Sequence, residues 1–90
     1  MEFEWDDTKR LRNIAKHGLD FRDVYHLFGA PTLRLRARQV ADESRWLAIG
    51  LISGVVVTVI NTYRAETVRV ISLRRARNAE RKNYHKAFGD

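Results

Sequence analysis

Hydrophobic and polar positions change period several times along the 90-residue chain, and each change marks an element. Residues 2–5, EFEW, alternate charged and aromatic, which predicts a short strand with Phe3 and Trp5 on one side. Asp6 or Asp7 then caps a helix. Its inner stripe is Leu11, Ile14 and Ala15, and Lys9, Arg10, Arg12 and Lys16 stay outside. Gly18, after His17, suits the left-handed residue that closes a helix, with Leu19 folding back over the last turn. Asp20 caps a second helix at once. Phe21, Val24, Tyr25, Leu27 and Phe28 form its apolar face, and Gly29 and Pro31 end it. Two helices joined this closely predict an α-hairpin.

The period then switches to two. Residues 32–38, TLRLRAR, send Leu33, Leu35 and Ala37 inward and Arg34, Arg36 and Arg38 outward. A turn at 41–44 leads to a strand over 45–52. Ser53-Gly54 is a two-residue turn signal before a strand over 55–62. The start of that strand is apolar on both faces, so it is expected to lie centrally and to be covered twice. Arg64, Ala65 and Glu66 make the next turn. The last strand, 67–73, places Val68, Val70 and Ser72 on one face and Arg69, Ile71 and Leu73 on the other. A final helix over about 76–87 offers a thin seam of Ala76, Ala79, Ala87 and Phe88. The order β-α-α-β-β-β-β-α predicts a single α+β domain over 1–90. In it an antiparallel meander of four strands packs against an N-terminal α-hairpin, and a C-terminal helix lies beside a partly open sheet face.

Charge sharpens this picture. Residues 64–86 hold eight basic and two acidic side chains, so the whole net charge of +6 lies in the last strand and helix. A small domain that gathers its positive charge in one unit is suited to a polyanion; a solvated basic helix without a ligand is the plain alternative. The chain has no cysteine, which excludes disulfides and thiolate chemistry. Its longest apolar run, 47–60, is broken by Gly50 and by Ser53-Gly54, and the acidic start is unlike a secretory signal, so a cytoplasmic protein without a membrane segment is expected.

His17, His26 and His85 fall on different predicted helices, none with a carboxylate at metal-ligand spacing, so no metal site and no cofactor is expected. Arg64, Arg69, Arg74 and Arg75 stand at the two ends of the last strand, and arginine forks grip phosphate oxygens bidentately. Arg69, within a strand, is expected to face the open side or to pair with Glu66 or Glu80. These two acids are ion-pair partners, a general base, or the orienter of an arginine. RNA carries its own nucleophile, the 2′-hydroxyl, so a phosphate clamp with one proton shuttle is enough to cleave it without a metal. Tyr84, one turn after Glu80, stacks on a base, donates a proton, or packs. Arg75, Arg77, Arg81 and Lys82 extend the basic surface as RNA contacts.

Three separated motifs carry a resemblance. W-D-x-x-K with K-H-G-x-x-F occupies 5–21, the I-G-L strand 49–51, and R-V-I-S-L-R-R-A with E-R-x-x-Y the stretch 69–84. Together they resemble the BrnT family of toxins of type II toxin–antitoxin modules. The resemblance implies a RelE-like fold and a ribosome-independent endoribonuclease that arrests translation. It also implies a BrnA-like ribbon-helix-helix antitoxin, held in a toxin2–antitoxin2 complex that binds operator DNA. The family's site arginines fall on Arg69 and Arg74, its next basic position on Arg75, its helix acid on Glu80 and its tyrosine on Tyr84. Arg64 and Glu66 are placed in the preceding turn as further catalytic candidates. Leu73 stands where the motif commonly has alanine. A non-catalytic RNA- or DNA-binding module with a RelE-like fold is the alternative; RNA cleavage against gel shift without cleavage separates the two.

Overall fold

The computed structural model describes residues 1–89. The elements are β1 (Glu2–Glu4), α1 (Asp7–His17), a 3-10 turn (Phe21–Asp23) running into α2 (Val24–Phe28), β2 (Leu33–Arg36), β3 (Trp46–Ile52), β4 (Val55–Arg64), β5 (Thr67–Arg75) and α3 (Asn78–Phe88). One five-stranded sheet has the order β1-β5-β4-β3-β2. Strands β2 to β5 form the expected antiparallel meander. Strand β1 adds to its far edge, parallel to β5, with Phe3 opposite Val68 and Glu4 opposite Arg69. The architecture is α+β.

Caps and turns follow local chemistry. The Asp6 carboxylate accepts from the Lys9 amide at the start of α1, and Gly18 ends it at φ 67°. Ser53 and Gly54 both take positive φ in the tight β3–β4 turn. Strand β4 is central. Its Val57 and Val59 enter a core with Phe21, Val24 and Leu27, while Val56 enters a second cluster on the other face with Ile49, Ala76 and Tyr84. Gly50 lets α2 approach: a Cβ there would sit 2.9 Å from Leu27 Cγ.

Three expectations need correction. The second helix is a 3-10 turn plus a five-residue α2, not the partner of an α-hairpin, and Tyr25 on it is exposed. At α3, Tyr84 fills the seam together with Ala76, which precedes the helix; Ala79 and Ala87 are exposed, so the alanine spacing misplaced the contact face.

The third concerns α1. Leu11 is 59% exposed and Ala15 is also outside, whereas Asn13 is buried. The helix rests against the edge of β5 beyond the reach of β1, where a strand needs hydrogen bonds more than apolar cover. Asn13 supplies them: its Nδ2 donates to Leu73 O at 2.8 Å and to Leu19 O at 2.9 Å, and its Oδ1 accepts from Leu73 N at 3.1 Å. Arg10 on the same helix is tied by both nitrogens of one fork to Asp20, at 2.8 Å each. That contact and the Arg22 amide hold the Asp20 carboxyl down at about 2.

Candidate active site

The site is set by a β-bulge. Along β4 and β5, Ile60 pairs with Ser72 but Asn61 pairs with Val70, leaving Ile71 as an extra residue. Regular alternation would put Val70 and Leu73 on opposite faces, as the period-two reading has it. The extra residue instead returns Leu73 to the core beside Val70. It has a second consequence. Arg69 and Arg74, of opposite parity, come onto the same face of the sheet, the one that α3 partly covers. Their partners on β4 are Thr62 and Thr58, four residues apart, so their backbones are about 13 Å apart along the strand.

Arg74 is held in a fixed pose. Its Nη1 and Nη2 donate to the two carboxylate oxygens of Glu80 at 2.7 and 2.9 Å. Nη1 also donates to Arg75 O at 3.3 Å. Glu80 sits in the first turn of α3 and accepts two more bonds at Oε1, from the Arg77 amide at 2.8 Å and from Thr58 Oγ1 at 2.9 Å. The Arg74 fork, followed by the Arg77 amide and the Thr58 hydroxyl, pulls the Glu80 carboxyl down to about 2 against the opposing effect of burial. The bond to Glu80 in turn raises the Arg74 guanidinium. Glu80 is therefore ionised at neutral pH and accepts four hydrogen bonds, two of them from Arg74. An arginine has five N–H groups. Those left on Arg74 are Nε–H and one Nη2–H, which form a side-on fork suited to two oxygens of a phosphate.

Arg69 does not pair with Glu66 or Glu80. Its Nη1 donates to Glu4 on the neighbouring β1 at 2.7 Å. The parallel pairing of β1, which alternation within residues 2–5 cannot reveal, provides that partner. Glu4 and Thr58 are the two site residues that sequence reasoning missed. Thr58 left a signal, as a lone hydroxyl inside the apolar run 55–60 that has to find an acceptor when buried.

The other candidates lie apart. Arg64 and Glu66 flank Ala65, at φ 55°, in the β4–β5 turn, and both are exposed. Arg64 is level with Thr67 and stands six residues along β4 from Thr58, the partner of Arg74, so about 20 Å of strand separates it from the Arg74–Glu80 pair. One phosphate cannot touch both ends. Tyr84 lies one turn beyond Glu80 as expected, but it is 8% exposed, packed in the apolar cluster and against Phe88 at 5.1 Å, so its ring has no face open to a base. Arg75, Arg77, Arg81 and Lys82 are exposed around the start of α3. Among the described residues no three histidine, cysteine, aspartate or glutamate side chains gather as metal ligands, and no helix is long and apolar enough to cross a membrane.

No curated protein matches the chain. A family model does, described as the ribonuclease toxin BrnT of a type II toxin–antitoxin system, over residues 5–80. The match runs from Trp5 to Glu80 and takes in α1 with its Asn13, the bulge, and the Arg74–Glu80 pair. An RNA substrate and an antitoxin partner go with such a toxin. The chain thus belongs to the BrnT family of ribonuclease toxins of type II toxin–antitoxin systems.

Proposed function

We propose that the face carrying Arg69 and Arg74 cleaves RNA without a metal, through the RNA 2′-hydroxyl. The 2′-hydroxyl loses its proton as its oxygen attacks the adjacent phosphorus, the bond to the 5′-oxygen breaks, and that oxygen takes up a proton, leaving a 2′,3′-cyclic phosphate and a 5′-hydroxyl. The charge that builds on the phosphate oxygens is met by two fixed guanidinium groups in a partly covered site. The observation that carries this reading is the bulge that brings Arg69 and Arg74 to one face, with Arg74 locked by Glu80 and its side-on fork free. Glu80 and Thr58 are positioning residues. Tyr84 anchors α3, and so holds Glu80 in place. Arg64 and Glu66 lie too far off to act at the same phosphate; Arg64 contacts the RNA farther along the chain, with Arg75, Arg77, Arg81 and Lys82 as contacts at the other end.

In this reading the domain is RelE-like, acts independently of the ribosome and works in the cytoplasm. Its antitoxin is BrnA-like. A ribbon-helix-helix part dimerises and binds operator DNA, giving a toxin2–antitoxin2 complex, and an acidic segment covers residues 64–86. The experiment is incubation of the purified protein with RNA. Cleavage supports the reading, and a gel shift without cleavage contradicts it in favour of a binding module.

A further inference from the structure

Helix α1 turns one stripe, at positions 9, 12, 13, 16 and 17, toward the free half of β5. Asn13, at its middle, is tied to the Leu73 backbone. Lys9, Arg12, Lys16 and His17 surround that tie and, with Ile71 and Ser72, line an open groove of about 240 Å3. No acidic side chain lines it, and Lys9, Arg12 and Lys16 form no ion pair among the described residues. Three cations stand within about 10 Å along the helix. Unpaired cations held side by side by a buried anchor repel each other unless an anion lies between them.

The position of the groove names the anion. Ile71 is the bulge residue, and Ser72 lies on the same face as Arg74, two positions away. The groove therefore opens onto the arginine face, from the side opposite α3. Its lining has no carboxylate that could read a base and no phenylalanine, tyrosine or tryptophan ring, and its three cations outnumber the single imidazole, His17, on which a base could stack. It suits a chain of phosphates without regard to sequence. We propose that the α1–β5 groove is a second RNA-binding strip, in which Lys9, Arg12 and Lys16 hold the phosphodiester backbone of a single-stranded RNA next to the cleaved phosphate. This rests on the reading of the chain as an RNA-cleaving toxin and adds a binding element that the basic stretch 64–86 does not contain.

The test uses the full chain and a single-stranded 2′-O-methyl RNA of about twelve nucleotides, which cannot be cleaved and exceeds the smallest single-strand sites. Binding is followed by fluorescence anisotropy over a range of salt. The variant carries Lys9→Gln, Arg12→Gln and Lys16→Gln, all at exposed positions. A control with the same loss of charge carries Arg22→Gln, Arg36→Gln and Arg38→Gln, exposed residues outside the groove. Each phosphate contact contributes about 0.7 to the salt slope for a single strand, so the groove variant is expected to lose about 2 from that slope and the control nothing. An unchanged slope in the groove variant, or an equal drop in both, overturns the proposal. Failure of the unaltered protein to bind the oligomer overturns the RNA reading itself, together with the groove.

Discussion

The side chain of Asn13 and the backbone of Leu73 exchange two hydrogen bonds, of 2.8 and 3.1 Å, so that one amide stands in for the strand missing from the edge of β5. This junction holds α1 against β5 just beyond the bulge, and so bears on the strand that carries both arginines. Asn13→Leu keeps the volume but leaves a buried N–H and C=O unpaired. We expect a loss of roughly 3 kcal/mol of unfolding free energy, measured in urea, at the upper end of what a buried unsatisfied group costs. Leu11→Gln, at an exposed position on the same helix, is expected to change stability by less than about 0.5 kcal/mol.

Arg69→Ala and Arg74→Ala each remove a cation to which the proposed mechanism gives the phosphate. Each variant is expected to fold and to lose about 100-fold in cleavage rate, the scale of losing one oxyanion donor. Arg34→Ala is the comparison. Arg34 lies over the Trp46 and Tyr63 rings, 5.0 and 5.2 Å from their centroids, on the opposite face, so its loss is expected to leave the rate nearly unchanged. A dead Arg34 variant beside active Arg69 and Arg74 variants would put the site on the wrong face.

Glu80→Gln separates an orienter from a base. The carboxyl titrates at about 2 in the folded chain against 4.5 as an ordinary glutamate. A depressed folded value stabilises the fold above pH 4.5, and that contribution fades as pH falls toward 2. Asp20, with Arg10, fades over nearly the same window, from 3.8 toward about 2. Urea midpoints taken from pH 7 down to about 2 are expected to fall less steeply for Glu80→Gln than for the unaltered chain. Its cleavage rate is expected to drop while the shape of the pH–rate profile stays the same. Loss of the acid limb would make Glu80 the general base.

Antitoxin association is expected to be fast at low salt and slower at high salt, because the net charge lies in residues 64–86. Release is expected to change less, being governed by apolar burial. Stopped-flow mixing at two salt concentrations checks both, and light scattering checks for two toxins and two antitoxins per complex. A rate indifferent to salt contradicts the electrostatic part, and a one-to-one mass contradicts the tetramer.

Local chemistry made much of this fold legible. The Asp6 and Asp20 caps, the Gly18 stop and the Ser53-Gly54 turn depend on neighbouring residues only, and each is where the sequence places it. The central β4 was legible from its two apolar faces. What stayed hidden depends on contacts between distant residues. The parallel seat of β1, and with it the Glu4 partner of Arg69, is one case. The inward turn of Asn13 is another, because apolar spacing along α1 points to Leu11 and says nothing of a strand edge waiting for an amide. The bulge is the third. The sequence 69-RVISLRR-75 reads as smooth alternation, and only the pairing of Ile60 with Ser72 and Asn61 with Val70 shows that Ile71 is extra. Arg69 and Arg74 were named from the residues and from the family motif, but their shared face needed the bulge.

The most direct test of the central claim is the chemistry of the ends left by the purified toxin on RNA in the presence of a chelator. Attack by the 2′-hydroxyl between Arg69 and Arg74 predicts undiminished cleavage, with 2′,3′-cyclic phosphate or 3′-phosphate on one fragment and a 5′-hydroxyl on the other. Fragments with 3′-hydroxyl and 5′-phosphate ends, or activity that a chelator abolishes and a divalent ion restores, would contradict it.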